Sequence, residues 1–383
     1  MTGMPPGTGT IAFGPRIRKS PFFDATREAG FFAFTVYNHM YMPLFFESPV
    51  ADYEHLTTAA TLWDVACERQ VEVSGPDAAA FMQYLSPRDI SRMKPGHCVY
   101  TLLLTDEGGV LNDPLILRLD EDRFWLSVSD SDVLLWAKGL AHGRGYDVAI
   151  DEPDVSPLQI QGPRSRDVVA ALFGDWVDDL NYFRFRETAL DGIPVVLSRT
   201  GWSGELGYEV FLRDGARGTA LWDRIMAAGA PFGLVPAAPN LISRIEAGLI
   251  SYGADATITD NPYQLDMAIF VDPDQPADFV GKGALHRLRA AGVDRKLVGV
   301  VVDGPPLPAN EHPWPVFTDA GTVGRVTSLT YAPRFDENLG LAMVDIGCAA
   351  PDSRFHVATP AGERAAVVRA LPFRRAPDQR VRF

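Results

Sequence analysis

Val71-Glu-Val-Ser-Gly-Pro-Asp77 runs into Ala78–Leu85, and further along Leu158-Gln-Ile-Gln-Gly-Pro-Arg164 runs into Ser165–Phe173. Each stretch alternates polar and apolar residues as a strand does, turns on a Gly-Pro pair, and continues with apolar residues at helical spacing. A strand–turn–helix unit used twice at domain scale implies two similar α+β halves packed together, since two copies are too few for a solenoid.

The rest of the chain arranges itself around these units. Between them, Val99 to Leu104 and Val110 to Leu119 read as strands flanking Thr105-Asp-Glu-Gly-Gly109, a hairpin loop in which glycine supplies positive φ. Phe124 to Val128 predicts a further strand and Val133 to Leu140 a helix; upstream, Asp52 to Leu62 reads as helical. Arg16 to Phe46 is basic and aromatic, too irregular for a long helix. After the second unit, Val195 to Arg199 and Tyr208 to Leu212 predict strands, and Thr219 to Ala228 and Ile242 to Gly248 helices. From about Lys296 the texture changes: Val298 to Val302, Val316-Phe317, Gly324 to Leu329, Gly340 to Val344 and Ala365 to Val368 are short, closely spaced strand-like runs, the pattern of a small β-barrel or sandwich.

At 383 residues the chain exceeds what a single core supports, so two or three domains are expected. Charged residues make up 22% and hydrophobic residues 46%, ordinary for a soluble globular protein. The net charge of −14 repels polyanions and argues against nucleic acid or an anionic membrane as partner. Cys67, Cys98 and Cys348 form neither a disulfide framework nor a Cys-x-x-Cys site, which suits a reducing compartment. Residues 1–15 read as a flexible arm without the features of a signal peptide, and no apolar run approaches the ~20 residues that span a bilayer. A cytoplasmic protein is the expectation.

Ready-made catalytic motifs are mostly missing. Gly201-Trp-Ser-Gly lacks the spacing of a nucleophile elbow, there is no phosphate-binding loop or dinucleotide fingerprint, and the seven histidines never take metal-ligand spacing, so no metal is expected. His97 beside Cys98 reads as a structural pair near a strand start. What remains is a set of carboxylates beside aromatics: Tyr100, Asp113, Trp202, Glu205, Tyr208 and Glu209. Asp113 stands in the apolar run Gly108-Gly-Val-Leu-Asn-Asp-Pro-Leu-Ile-Leu117, where a buried carboxylate is costly unless it meets a donor. It reads equally well as a ligand or as a cap on local backbone amides. Glu209, inside Tyr208-Glu-Val-Phe-Leu, reads by pattern alone as a solvent-facing strand position.

These segments resemble a known family. Gly108-Gly-Val-Leu-Asn-Asp-Pro-Leu-Ile and Arg199-Thr-Gly-Trp-Ser-Gly-Glu-Leu-Gly-Tyr-Glu-Val are similar to signature blocks of the glycine-cleavage T-protein (aminomethyltransferase) superfamily, as are Leu158-Gln-Ile-Gln-Gly-Pro and Arg244-Ile-Glu-Ala-Gly-Leu. More specific blocks resemble its tetrahydrofolate-dependent dimethylsulfoniopropionate demethylase branch: Arg18-Lys-Ser-Pro-Phe, Val36-Tyr-Asn-His-Met, Trp63-Asp-Val-Ala-Cys-Glu-Arg-Gln-Val-Glu, Ser129-Asp-Ser-Asp and Pro239-Asn-Leu-Ile-Ser-Arg-Ile-Glu. The similarity runs from about Arg16 to Lys282 and weakens beyond.

The resemblance implies a three-domain cloverleaf around a central folate channel. Residues 1–55 and 140–255 would form a discontinuous first domain, 56–139 a second with 256–285 packed nearby, and 286–383 the β-barrel. Tetrahydrofolate would be the methyl acceptor, held by Tyr100, Asp113 and Glu209, with Asp113 orienting the pterin as the catalytic group. Trp202, with Tyr37 or Phe211, would face the methyl donor, and Arg18 or Lys19 a donor carboxylate. The implied partners are folate and a small methylated donor, with a homodimer left open. A sulfonium suits this inventory, because its leaving group is a neutral thioether that needs no acid. Two departures leave other donors open. Phe211 stands where the branch has tyrosine, and Asn261-Pro-Tyr-Gln-Leu-Asp-Met replaces a Glu-Cys-Gly-type segment and introduces Asp266, an acid that would suit a cationic donor if buried near it. A methylamine, a betaine, an aryl methyl ether or a true aminomethyl donor are the alternatives.

Overall fold

In the computed structural model, which describes residues 13–374, both Gly-Pro units take the expected form. Strand Gln70–Ser74 turns into helix Ala78–Leu85, and strand Ser156–Gln161 into helix Ser165–Phe173. The two turn glycines are obligatory. Gly75 and Gly162 have φ of +128° and +119°, and a Cβ on Gly162 would lie 2.6 Å from the carbonyl of Ala59.

Each unit anchors its own sheet. The six-stranded sheet runs Phe185–Leu190, Ile193–Ser198, Gly207–Leu212, Ser156–Gln161, Ala60–Asp64, Leu234–Ala237, antiparallel except for the last pair. The five-stranded antiparallel sheet runs Ala149–Asp151, Gln70–Ser74, Arg123–Ser127, Leu115–Asp120, His97–Tyr100. Helices cover the outer face of each, and the inner faces meet through Cys98, Leu117 and Trp125 from one sheet and Val196 and Phe211 from the other. Six strands between Arg295 and Arg369 close into a barrel with its own apolar core. The overall architecture is the α+β arrangement with a C-terminal barrel that the sequence implies.

Several local expectations change. The helix expected over Asp52 to Leu62 is Pro49–Thr58, and the chain then enters strand Ala60–Asp64, buried at every position and so without alternation to betray it. That strand belongs to the six-stranded sheet and Ala149–Asp151 to the five-stranded one, so sheet membership does not follow the boundaries expected at 56 and 140. The barrel has a sixth strand, Arg354–Thr359, that the sequence reading missed. Arg16 to Phe46 folds into helix Phe23–Glu28 and a hairpin, Ala33–Tyr37 with Met40–Phe45, whose loop residues Asn38 and His39 both take positive φ as a two-residue I′ turn requires. Of the arm expected at 1–15, residues 1–12 lie outside the described residues, whereas Phe13 packs edge-on against Phe23, Phe34 and Tyr41. Among the described residues, no helix is long and apolar enough to cross a membrane.

Candidate active site

Asp113 sits in the link between strands Val110–Asn112 and Leu115–Asp120, and its neighbours hold it by a chain of hydrogen bonds. Buried Asn112 donates through Nδ2 to the Ser129 carbonyl (3.0 Å) and to Ser131 Oγ (2.7 Å), pinning the loop after strand Arg123–Ser127. This sets Ser129 Oγ on one oxygen of Asp113, while Tyr100 Oη donates to the other at 2.9 Å. The carboxylate therefore accepts from two side-chain hydroxyls, which the amide-capping reading did not foresee. Burial outweighs those donors and pushes the Asp113 carboxyl up to about 6.

The Asn38-His39 turn docks on the same loop. The Asn38 amide donates to Asp130 Oδ1 (2.8 Å) and the Asp130 amide to Tyr37 Oη (3.1 Å), which brings Tyr37 into the field of Asp113. Three blocks far apart in sequence, Val36-Tyr-Asn-His-Met, Asn112-Asp-Pro and Ser129-Asp-Ser-Asp, thus close around one carboxylate.

Glu209 lies on strand Gly207–Leu212 and is only 4% exposed, so the solvent-facing reading fails. Its register partner Gln159 donates Nε2 to Oε1 at 2.7 Å, and Thr200 Oγ1 donates to Oε2. Burial raises its pKa, and these two donors lower it only in part. Gln159 keeps one buried atom, Oε1, without a partner.

Glu68, which the sequence reading quoted but did not single out, completes the cluster. It lies in the turn after strand Ala60–Asp64, fixed by its amide to the Val65 carbonyl (2.8 Å) and by Gln70 Nε2 to its own carbonyl (2.6 Å). Burial, then Glu209 and Asp113, hold its carboxyl well above the usual range. Tyr252, raised to about 12 by burial and then by Asp113 and Asp260, and Tyr182, raised by burial and then Glu209, stand beside these acids. Among the described residues no lysine, arginine or histidine pairs with Glu68, Asp113 or Glu209, and no three acid, histidine or cysteine side chains are placed to hold a metal ion.

Trp202 is half-buried in the loop that follows strand Ile193–Ser198, with the Arg244 guanidinium 6.0 Å from its ring centroid. The loop is shaped by Gln161, whose amide threads between Gly201 and Gly207: a Cβ at either glycine would come within 2.3 Å or 2.1 Å of it. Ser203 Oγ donates to Gln161 Oε1 at 2.6 Å, and Glu205, an early candidate, is taken up by Arg374 at 2.6 Å. Tyr208 belongs to the core of the six-stranded sheet.

Three residues expected near the donor have the following surroundings. Phe211 is fully buried and packs on Trp125 in the apolar seam between the sheets. Asp266 is exposed and paired with Lys296 at 2.9 Å, so it is no buried acid. Arg18 is paired at the surface with Glu152 at 2.6 Å, an acid it shares with Arg69. Burial lifts the Cys98 thiol to about 12, which leaves the His97–Cys98 pair without thiol chemistry at neutral pH.

Comparison with known proteins matches residues 22–275 to the GCVT N-terminal domain and residues 295–374 to the glycine cleavage T-protein C-terminal barrel domain. The chain belongs to the glycine-cleavage T-protein family. Within it, this member is 41% identical to dimethylsulfoniopropionate demethylase DmdA of Ruegeria pomeroyi, over 92% of the chain and 96% of the relative. It is 34% identical to an aminomethyltransferase of Bacillus subtilis, over 86% of the chain and 91% of the relative. The crystal structure of glycine cleavage system aminomethyltransferase T from Bartonella henselae superposes with a TM-score of 0.85 over 94% of this chain and 99% of that one; at 24% identity the likeness shows the fold. The T-protein-family chain is an enzyme, and the first of its two matched domains contains Glu68, Asp113 and Glu209.

Proposed function

We propose that the chain transfers a methyl group from a small sulfonium donor, dimethylsulfoniopropionate or a close analogue, to N5 of tetrahydrofolate, giving 5-methyltetrahydrofolate. The observation that carries the folate side is the pair of carboxylates Asp113 and Glu209, each held by neutral donors and, among the described residues, neither paired with a cation. Such groups are stable as ions only when further donors reach them, and the N–H groups of a reduced pterin are of that kind. The unpartnered Oε1 of Gln159 beside Glu209 also asks for an N–H. Asp113 and Glu209 then hold the pterin edge, and Tyr100, tied to Asp113, lies along it. The donor class is supported by the demethylase relative and by the aromatic groups beside the acids.

Tetrahydrofolate supplies the nucleophilic N5 lone pair. The methyl–sulfur bond breaks with its electron pair going to sulfur, so a neutral thioether leaves and the N5 proton passes to solvent. No acid is required, and the protein's work is orientation in a site shielded from water. Trp202 and Tyr37 offer ring faces to the cation, an attraction worth ~2 kcal/mol when desolvated.

Enzyme incubated with tetrahydrofolate and dimethylsulfoniopropionate should yield 5-methyltetrahydrofolate and the demethylated thioether in equal amounts by mass spectrometry. No methylated folate from sulfonium, quaternary ammonium, amine or ether donors overturns the reading. The aminomethyltransferase relatives favour one second reading: ammonia released from an aminomethyl-lipoyl protein, with methylenetetrahydrofolate as product, would establish it instead.

A further inference from the structure

Both ligands of the proposed reaction end in a carboxylate, and Arg18, the residue expected to meet one, is paired with Glu152. Arg88 is differently placed. It stands in the turn Ser86-Pro-Arg88 after helix Ala78–Leu85, and its backbone is fixed from several sides. Gln83 Nε2 donates to its carbonyl at 2.9 Å, and its amide donates to Ser86 Oγ at 3.2 Å. The Pro87 carbonyl before it accepts from the Asp272 amide at 2.7 Å and from Gln275 Nε2 at 2.9 Å. The half-buried side chain reaches Tyr100, with Nη1 donating to the Tyr100 carbonyl at 2.6 Å. Its guanidinium carbon lies 5.6 Å from the centre of the Phe270 ring, which in turn packs edge-on against Tyr100 at 4.9 Å. At its other end Tyr100 donates to Asp113. The guanidinium thus lies one residue's length from the carboxylate assigned to the pterin.

The rest of the guanidinium is unspent. Nε and Nη2 have no acceptor among the described residues, yet neither is sealed from solvent by the protein. The nearby acids are turned elsewhere: Asp89 Oδ1 accepts from the Ser91 amide at 2.9 Å and Asp272 Oδ1 from the Asp274 amide at 3.1 Å. In a chain with 49 acids against 35 lysines and arginines, a half-buried arginine without an acid does not reflect scarcity. Burial lowers its pKa, and no carboxylate acts to raise it.

We propose that Arg88 is a carboxylate-binding residue of the active site, its guanidinium fork receiving the free carboxylate of a ligand, either the glutamate of the folate or the acid end of the methyl donor. The proposal rests on the demethylase reading and adds the group that recognises a ligand's anionic end. Nε and Nη2 share one edge of the planar guanidinium, the edge that takes both oxygens of a carboxylate. Arg69 on Glu152 and Arg166 on Asp178 use that same edge in this protein. Nη1, tied to Tyr100, sets the plane, so the open edge is oriented before a ligand arrives. A neutral amide has one oxygen and no charge to offer there and leaves the desolvated cation uncompensated.

The test titrates two pairs of probes calorimetrically into the full chain. One pair is folic acid and pteroic acid, which lacks the glutamate. The other is dimethylsulfoniopropionate and its amide, measured with pteroic acid present so that no glutamate competes and no turnover occurs. Wild type should bind the carboxylate-bearing member of at least one pair about tenfold tighter, and that pair names the source of the carboxylate. Arg88→Gln should abolish the preference while leaving the member without the carboxylate within about twofold. Arg88→Lys, which keeps the charge and loses the fork, should show an intermediate preference. Should Arg88→Gln fail to fold, Arg88→Lys decides, and an undiminished preference there overturns the proposal. It is also overturned if wild type prefers neither carboxylate, if the preference survives Arg88→Gln, or if both members of a pair weaken by the same factor. Methylated folate from wild type alongside an unchanged preference in Arg88→Gln sinks the role of Arg88 alone. An Arg88-dependent preference without any methylated folate sinks the demethylase reading and leaves the carboxylate site standing.

Discussion

Asp113→Asn should make the protein more stable at neutral pH while stopping its reaction. The Asp113 carboxyl is carried from its ordinary 3.8 to about 6, with burial as the leading cause and the Ser129 and Tyr100 hydroxyls acting against it. At ~1.4 kcal/mol for each pH unit, keeping it ionised in the folded state costs on the order of 3 kcal/mol, and on the order of 2 after allowing for water in a half-buried site. The sign follows from proton uptake. Between about pH 4 and 6 the folded state holds a proton that the unfolded state has lost, so stability falls as pH rises through that window. The penalty is fully present above about pH 6 and absent below about pH 4. Asparagine removes the charge and keeps the shape: its oxygen still accepts from one hydroxyl, and its amide finds the other hydroxyl's oxygen. Thermal unfolding of wild type and variant should show Asp113→Asn higher by a few degrees at pH 7.5, with the gap narrowing toward pH 4. A variant less stable at pH 7.5, or a gap that ignores pH, would refute the claim that this carboxylate is held at a cost. Product formation should be lost in the same variant, because a neutral amide cannot hold an N–H edge as a carboxylate does. Full activity would remove Asp113 from the site.

Glu209→Gln should weaken tetrahydrofolate binding by about tenfold or more without lowering the melting temperature, since its carboxylate is also held against burial; unchanged affinity in a fluorescence titration would break the pairing with Asp113. Gly162→Ala should destabilise by about 3 kcal/mol or more, from positive φ together with a Cβ 2.6 Å from the Ala59 carbonyl; a soluble variant with the wild-type melting temperature would refute this account of the turn. Arg374→Ala should cost about 3 kcal/mol, because Glu205 and Glu246, whose side chains are both buried, would keep Arg334 as their one cation, at 4.0 Å and 3.7 Å, among the described residues, with Tyr53 Oη still donating to Glu246 at 2.6 Å; an unchanged melting curve would show that network to be dispensable. Arg18→Ala should leave the donor KM within about twofold, as expected of a surface ion pair; a tenfold rise would return Arg18 to the site.

The fold was legible wherever local chemistry and tertiary demand agree. Gly-Pro after an alternating run marks both units, because the backbone there needs positive φ and a bare Cα, and only glycine offers both. Strand Ala60–Asp64 was not legible: burial on both faces erases alternation, and the preceding helix runs on in propensity past its true end at Thr58. The I′ turn at Asn38-His39 escaped because His39 replaces the usual glycine at a positive φ. Its stability comes from docking on Ser129 and Asp130 across the molecule, which no local pattern records.

The site divides in the same way. Asp113 stood out as an acid among apolar residues, and its partners Asn112 and Ser129 lie in blocks that resemble the family's. Phe211 and Asp266 drew notice because they differ from a pattern, yet difference alone does not place a residue at a site: one fills the seam between two sheets and the other pairs with Lys296 at the surface. Glu68 sits in Cys67-Glu-Arg-Gln70, flanked by polar residues as any surface turn would be. What distinguishes it is a lack of partners, and a lack of partners exists only in three dimensions. Arg69, one residue on, looks in sequence like its natural counter-ion and is instead turned to Glu152. Burial, then Glu209 and Asp113, hold the Glu68 carboxyl well above the usual range, an effect of neighbours that only the fold brings together and that no local pattern records.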